Sequence, residues 1–177
     1  MSAQASEVRR TEWRRQFDEH KARSVGPAVL SMESVREFSG LELFQKMLAG
    51  ELPRPPIADT LGFILIEAEK GRVLFQGEPA HVHYNPMGSV HGGFHATLLD
   101  SCVGCAVHTT LEAGQGYTTL ELKINYVRGL SDRVGPVRAE GKVIHAGRQV
   151  ATAEGRLVDA DGKLYAHAST TCLIFPI

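Results

Sequence analysis

One long apolar segment, placed between two groups of shorter segments, most limits the fold of this chain. It runs from His91 to about His108, and its apolar residues fall on nearly every face of a helix. Other structure must cover such a helix on almost all sides. The segments on either side, within 62–78 and 117–175, are typical of β-strands. We therefore predict an α+β fold in which a curved antiparallel sheet wraps around one buried helix.

Alternation and turns predict five to six strands. Residues 62–68 and 72–78 flank Glu69-Lys70-Gly71 and predict a hairpin. Residues 117–127 alternate, which predicts a strand with two distinct faces. One face is predicted for Leu120, Leu122, Ile124 and Tyr126, and the other for Thr119, Glu121, Lys123 and Asn125. Two or three more strands are predicted across 137–145, 149–158 and 163–175.

The N-terminal part differs from the rest in its helical character. Residues 1–38 are predicted to form a helical extension, and residues 39–177 one domain of ordinary size. Ser34 and Ser39 are each followed by Glu three residues later, the spacing of a helix capping box. For the first 25 residues, a loosely packed helix and a mobile arm are equally compatible with the sequence.

Charge and cysteine content exclude several classes of protein. The net charge is −1, so no overall field attracts nucleic acid or an anionic membrane. Three cysteines do not make a disulfide framework, and Cys102 and Cys105 are interpreted as small core residues. The N-terminus has no apolar segment of a signal peptide, and no apolar run is long enough to span a membrane. We expect a cytoplasmic protein that binds neither nucleic acid nor membrane.

The start of the apolar segment carries a candidate site. Gly92 and Gly93 follow His91 where the helix is expected to begin, and first-turn N–H groups have no partner within a helix. Such a helix start attracts anions, including the oxyanion of an acyl transfer. The alternative interpretation, close packing of helix against sheet, is about equally compatible with the two glycines.

Asp100 lies in the middle of the apolar segment. A buried carboxylate is costly unless it is paired, so a bond to Ser101 or Thr97 is one interpretation and catalysis another. Gly92 and Asp100 are eight residues apart, roughly 12 Å along a helix. If both act on one carbonyl, Asp100 must come from another subunit, which predicts a two-fold dimer with two shared sites.

Together these residues resemble a known family. Asn85, Gly88, His91-Gly92-Gly93 and Asp100 are similar to the motif of the hotdog-fold acyl-CoA thioesterases of the phenylacetate-pathway (PaaI-like) group. The resemblance extends from about residue 39 to the C-terminus. It implies a hotdog fold, hydrolysis of acyl-CoA, no separate cofactor, and a homodimer that pairs into a homotetramer.

The resemblance also implies catalytic roles. Asp100 would be the nucleophile or the general base that activates water, and the Gly92 N–H would bond the thioester oxygen. His91 would shape the helix start, and Asn85 would orient the thioester or the water. Some relatives carry Thr or Ser four residues after the acid, where this chain has Gly104, so the partner of the water is left open.

Several further residues are expected to contact the substrate. Gly88, Gly93 and Ser101 are expected near the acyl-CoA, and Arg128 and Arg148 are candidates for its phosphates, although solvated charges at strand ends are an equal alternative. His91 and His95 have the spacing of a helical metal pair, but the diglycine between them and the missing Glu of HExxH favour no metal.

Two other functions fit the same residues. A hotdog 3-hydroxyacyl-CoA dehydratase or hydratase would use a His and an acid to move a proton on the acyl chain. The diglycine directly after His91 favours thioester hydrolysis over this reaction. A non-catalytic acyl-CoA sensor would bind the same ligand without turnover.

Overall fold

The structure, a computed structural model, describes residues 3–177, which form five α-helices and one sheet. The helices are α1 (Ala3–Arg23), α2 (Met32–Glu37), α3 (Gly40–Ala49), α4 (Pro56–Leu61) and α5 (Gly92–His108). The strands are β1 (Phe63–Glu69), β2 (Arg72–Gly77), β3 (Gln115–Tyr126), β4 (Val137–Ala146), β5 (Val150–Asp159) and β6 (Leu164–Pro176). Within this described part, no helix is both long and apolar enough to cross a membrane.

All six strands belong to one antiparallel sheet with the order β1-β2-β4-β5-β6-β3. The two edges are therefore β1 and β3. Helix α5 packs on one face of this sheet, and nine of its 17 residues are buried, seven of them in the main hydrophobic core. The predicted α+β fold, with a sheet around one central helix, is confirmed.

Two glycines let the sheet approach α5 closely, one against the backbone of the helix and one against its side chains. A Cβ at Gly141 of β4 would lie 2.1 Å from the carbonyl oxygen of Cys102, and one at Gly155 of β5 would lie 2.7 Å from Cγ1 of Val103. Neither distance is possible for a real side chain. These strands therefore require glycine where α5 crosses them, which explains part of the glycine content of the chain.

Strand β3 departs from the predicted alternation at one residue. Thr119 pairs with Cys172 and Glu121 with Thr171, so Leu120 is an extra residue in a β-bulge. The bulge turns Thr119 towards α5, where its hydroxyl reaches the helix, and leaves the Leu120 side chain 61% exposed. The prediction that Thr119 shares a face with Glu121, and Leu120 with Leu122, is wrong because the inserted residue reverses the alternation.

Helix α1 packs on the outer face of the sheet, opposite α5. The side-chain amide of Gln76, which is buried, donates to the Trp13 carbonyl over 2.7 Å. The Arg138 guanidinium lies 4.2 Å above the Trp13 ring, and Phe17 packs on a small apolar cluster that includes Ile64. Of the two alternatives for this segment, the structure shows the helix, and residues 1 and 2 lie outside the described part.

The two predicted capping boxes have different outcomes. Ser39 and Glu42 form a complete capping box at the start of α3, as predicted. The prediction for Ser34 is wrong, because Ser31 caps α2 and its side chain accepts the Ser34 N–H. A serine hydroxyl therefore caps this helix too, but it belongs to Ser31, three residues before Ser34.

Candidate active site

The N-terminus of α5 offers an unpaired backbone donor. His91 is the N-cap, and its Nδ1 accepts the Gly93 N–H over 2.8 Å. Among residues 3–177, the Gly92 N–H has no hydrogen-bond partner. Because a helix N-terminus favours negative charge, this N–H is suited to a carbonyl oxygen that becomes an oxyanion.

Tyr126, the last residue of β3, covers Gly92. Its hydroxyl donates to the Gly92 carbonyl over 3.2 Å, and a Cβ at Gly92 would lie 3.2 Å from the Tyr126 ring. At Gly93, a Cβ would lie 3.0 Å from Nδ1 of His91. The two glycines therefore permit close packing and also leave a donor free, so the two interpretations of the diglycine are compatible.

A surface groove passes along this helix start. It is lined by Val90, Gly92, His95, Tyr126 and residues 127–130. Arg128 lies in the groove, with its Nε 3.5 Å from the Leu164 carbonyl and its guanidinium 6.0 Å from the Tyr165 ring. One of the two candidate phosphate ligands is thus next to Gly92.

His95, one turn into α5, is a buried histidine that borders the same groove. Its side chain is 3% exposed, and its Nδ1 has no hydrogen-bond partner in the described part of the chain. Its ring packs edge-on against Tyr126, with 5.6 Å between the ring centroids. Burial lowers the pKa of His95, so the imidazole is neutral near pH 7. Within residues 3–177, no three His, Cys, Asp or Glu residues form a group that could hold a metal ion.

Asp100 is exposed in the single chain, which corrects the expectation of a buried carboxylate. It lies on α5 beside the edge strand β3 of the sheet. Its Oδ1 accepts a hydrogen bond from the Thr119 hydroxyl over 3.2 Å. Neither expected partner bonds it, since the Thr97 hydroxyl donates to the Gly93 carbonyl and Ser101 lines a cavity. Sequence reasoning missed Thr119 because it placed that residue on the other face of β3.

At Gly104, where some relatives carry a hydroxyl, the space next to the helix is occupied by the side chain of Tyr117. A Cβ at this position would lie 2.7 Å from the Tyr117 hydroxyl oxygen and 2.9 Å from the ring. Burial raises the pKa of Tyr117 well above its usual value, so this phenol stays neutral. A threonine has no room here, and Thr119 is the hydroxyl that reaches Asp100 instead.

Asn85 and Gly88 lie in the loop before α5. The Asn85 Oδ1 accepts the N–H groups of Met87 and Ser89 over 2.9 and 3.2 Å, and its Nδ2 donates to the Ser89 hydroxyl. Gly88 has φ of 82°, which favours glycine in this turn. In the single chain the Asn85 side chain therefore holds its own loop, and its contact with a substrate stays a prediction.

An apolar cavity adjoins α5 at Ser101, the residue after Asp100. It has a volume of about 100 Å³ and is enclosed by α1, α3, α4, β1, β2 and α5. Ser101 and Cys105 are its walls on α5. The remaining apolar walls are Phe44, Met47, Leu48, Pro55, Ala58, Phe63, Ile64, Leu65 and Phe75.

The two candidate phosphate ligands lie at opposite ends of the sheet. Arg128 follows the end of β3, where Tyr126 pairs with Ala166. Arg148 is exposed in the turn between β4 and β5, near the opposite end of the strands. One chain does not bring them together.

Comparison with known proteins finds similarity to a thioesterase family and to proteins named as esterases or hydrolases. A family profile described as the thioesterase superfamily matches residues 87–166. A Saccharolobus solfataricus protein named as an esterase is 36% identical over 104 residues, which are 59% of this chain and 72% of that protein. A 1,4-dihydroxy-2-naphthoyl-CoA hydrolase of Listeria monocytogenes is 26% identical over 61% of this chain and 86% of its own length.

The fold has solved counterparts as well. The chain is similar to a protein from Ralstonia eutropha JMP134 that is named as a thioesterase and as a phenylacetic acid degradation-related protein, with a TM-score of 0.67 and 33% identity. The superposition covers 73% of this chain and 98% of that one.

Proposed function

The chain belongs to the thioesterase superfamily, and on that premise we propose that it hydrolyses acyl-CoA thioesters to the free acid and CoA. The observation that carries the proposal is the Asp100 carboxylate, which is exposed on the central helix and bonded by Thr119. A relative named as a hydrolase of an aryl-CoA thioester supports the substrate class.

Asp100 acts as the general base in this proposal. Its Oδ1 is held by Thr119, which leaves the second oxygen to accept a proton from water. The Thr119 hydroxyl donates a hydrogen bond to the Asp100 carboxylate, so the Thr119 oxygen can accept a hydrogen bond from the same water. The water oxygen attacks the thioester carbon, and its proton goes to Asp100. The pair thus replaces the hydroxyl that is missing at position 104.

Gly92 stabilises the charge that develops in this step. Attack converts the thioester carbonyl into a tetrahedral oxyanion, which the free Gly92 N–H at the start of α5 can bond. When the oxyanion collapses, the carbon–sulfur bond breaks and the thiolate of CoA leaves with the electron pair. Asp100 returns its proton to the thiolate, which restores the carboxylate.

Two copies of the chain form each site in this proposal. Gly92 and Asp100 lie roughly 12 Å apart on one straight helix, too far to act on one carbonyl. Strand β3 is an edge of 12 residues, with Leu120 and Val127 exposed on or directly after it. Pairing β3 with its copy in a two-fold dimer covers this edge and brings Asp100 of one subunit towards Gly92 of the other. A tetramer built from two such dimers stays a prediction.

The same two-fold pairing also brings the two candidate ligands for the CoA phosphates to one end of the sheet. Antiparallel pairing of β3 with its copy places opposite ends of the two sheets side by side. Arg128 of one subunit and Arg148 of the partner subunit then lie at the same end of the extended sheet. Asn85, Gly88, His91 and Gly93 surround the thioester end of the substrate in this arrangement.

The reaction is tested by following products rather than substrate loss. The purified protein is incubated with an acyl-CoA panel that includes crotonyl-CoA, and free thiol and hydrated product are measured separately. Thiol release with turnover is expected. Hydration of crotonyl-CoA without thiol release would indicate a hydratase, and acyl-CoA binding without either product would indicate a sensor.

A further inference from the structure

The cavity that Ser101 and Cys105 line on α5 suits a short acyl group. Its volume of about 100 Å³ is smaller than the roughly 150 Å³ of an apolar cavity that binds benzene. Ser101 lines it and directly follows Asp100, so an acyl tail that extends from the reacting carbonyl past this serine enters the cavity. Its walls are mostly apolar, with a polar group of His20, Ser24 and Arg54 at the side of α1.

Arg54 is fixed at this polar side by two different elements. Its Nη1 donates to the hydroxyl of Ser24, after the end of α1, over 2.9 Å. Its Nη2 donates to Oδ1 of Asp59 in α4 over 2.6 Å. The backbone is held as well, because the Arg54 N–H donates to the Gly26 carbonyl and the Arg54 carbonyl accepts the Ala28 N–H. The side chain is 17% exposed, so the guanidinium is a largely buried, immobile part of the wall.

We propose that Arg54, locked by Ser24 and Asp59, is the end wall of the acyl site and limits the length of the acyl group. This proposal rests on the proposed thioester hydrolysis. An acyl tail longer than the cavity would have to separate the guanidinium from its hydrogen-bond partners or place methylene groups against a buried charge, and both are costly. Because Ser24 belongs to the N-terminal segment, that segment takes part in substrate selection although it lies far from Asp100 in sequence.

The expected selectivity follows from burial of methylene groups. Each methylene that fits the cavity increases kcat/KM by about fourfold, and the first one that meets Arg54 reverses this trend. We expect kcat/KM of the wild type to reach its maximum between butyryl-CoA and hexanoyl-CoA. With decanoyl-CoA it should be at least tenfold lower than this maximum.

The test compares kcat/KM for butyryl-, hexanoyl-, octanoyl- and decanoyl-CoA in three proteins. In Arg54→Ala the ratio of decanoyl to butyryl values should rise by at least tenfold. Arg54→Met keeps the aliphatic stem without the charge, so it retains the packing if Arg54→Ala unfolds, and its ratio should also rise. Arg14→Ala is the matched control, because Arg14 forms an ion pair between α1 and Glu78 away from the cavity. Its ratio should equal that of the wild type.

A binding measurement separates this proposal from the reaction itself. Thermal unfolding is followed with free hexanoate and free decanoate, which need no hydrolysis. Stabilisation of the wild type by hexanoate only, and of Arg54→Met by both, supports the end wall even if no acyl-CoA is turned over. A folded Arg54→Met or Arg54→Ala with an unchanged length profile overturns it, as does a wild type that prefers decanoyl-CoA, even if thioester hydrolysis is established.

Discussion

The hydroxyl of Thr119, on the edge strand β3, donates to Oδ1 of Asp100 on the central helix over 3.2 Å. This bond exists because the bulge at Leu120 turns Thr119 towards α5. It gives the one carboxylate on this face of the helix a fixed partner, at the edge where a second copy of the chain is proposed to pair. Strand β3 therefore contributes to the sheet, to the proposed dimer interface and to the position of the candidate base.

Loss of the Thr119 hydroxyl should reduce catalysis without loss of the fold. Thr119→Val keeps the shape of the side chain but removes a hydrogen bond to a charged group, a contribution of about 1.5–3 kcal/mol. We expect kcat to fall by about 10- to 100-fold, with rescue in Thr119→Ser. Thr118→Val, on the exposed face of the same strand, is the control. Equal activity of Thr119→Val and wild type would remove this residue from the mechanism.

A side chain at position 104 should destabilise the protein. In Gly104→Ala the new Cβ would meet the partly buried Tyr117 at 2.7 Å, and overpacking of this kind typically costs about 1–3 kcal/mol. The free energy of unfolding from urea titration should fall by about that amount. Gly129→Ala is the comparison, because a Cβ there has no atom within 4 Å. If both variants are equally stable, Tyr117 is not packed against the helix as described.

Stability should decrease as the pH falls below about 6.5. Burial lowers the pKa of His20, His83, His95 and His108 in the folded protein. The unfolded chain, with ordinary histidine pKa values near 6.5, then binds more protons than the folded one, which favours unfolding at lower pH. The free energy of unfolding should be smaller at pH 5.5 than at pH 7.5, and the difference should shrink in His95→Leu. A larger value at pH 5.5 would contradict the burial of these rings.

Arg128 should contribute to affinity for CoA rather than to the chemical step. Arg128→Ala removes a candidate phosphate contact beside Gly92, so KM for an acyl-CoA should rise by about tenfold with little change in kcat. The KM for the matching N-acetylcysteamine thioester, which has no phosphates, should not change. Arg156→Ala, an exposed arginine on the outer face of β5, is the control. An equal increase in KM for both thioesters would exclude a phosphate contact.

The sheet and α5 could be predicted because their patterns are local. The alternation of the strands, the long apolar run of α5 and turns such as Asp159-Ala160-Asp161-Gly162 are present in the sequence itself. The bulge at Leu120 could not be predicted, because one extra residue in a strand leaves the alternation of residue types intact on both sides. Its partner residues on β6 are about 50 positions away in the chain.

The candidate site was only partly predictable for a related reason. The His91-Gly92-Gly93 helix start and Asp100 follow from residue types and spacing. The exposure of Asp100 does not follow from residue types and spacing. An apolar helix face can be covered by the same chain or by a second copy of it, and both arrangements have the same sequence pattern. The Gly104–Tyr117 contact and the Arg54 wall join distant segments, so no local pattern indicates them.

The most direct test of the central claim is thiol release from acyl-CoA by Asp100→Asn. This change keeps the size of the side chain and its ability to accept from Thr119, but it removes the base. Asp18→Asn, the same substitution at an exposed position of α1, is the matched control, and circular dichroism confirms that both variants are folded. We expect kcat to fall by about 100-fold or more in Asp100→Asn and to equal the wild type in Asp18→Asn. A folded Asp100→Asn with wild-type thiol release would contradict the mechanism.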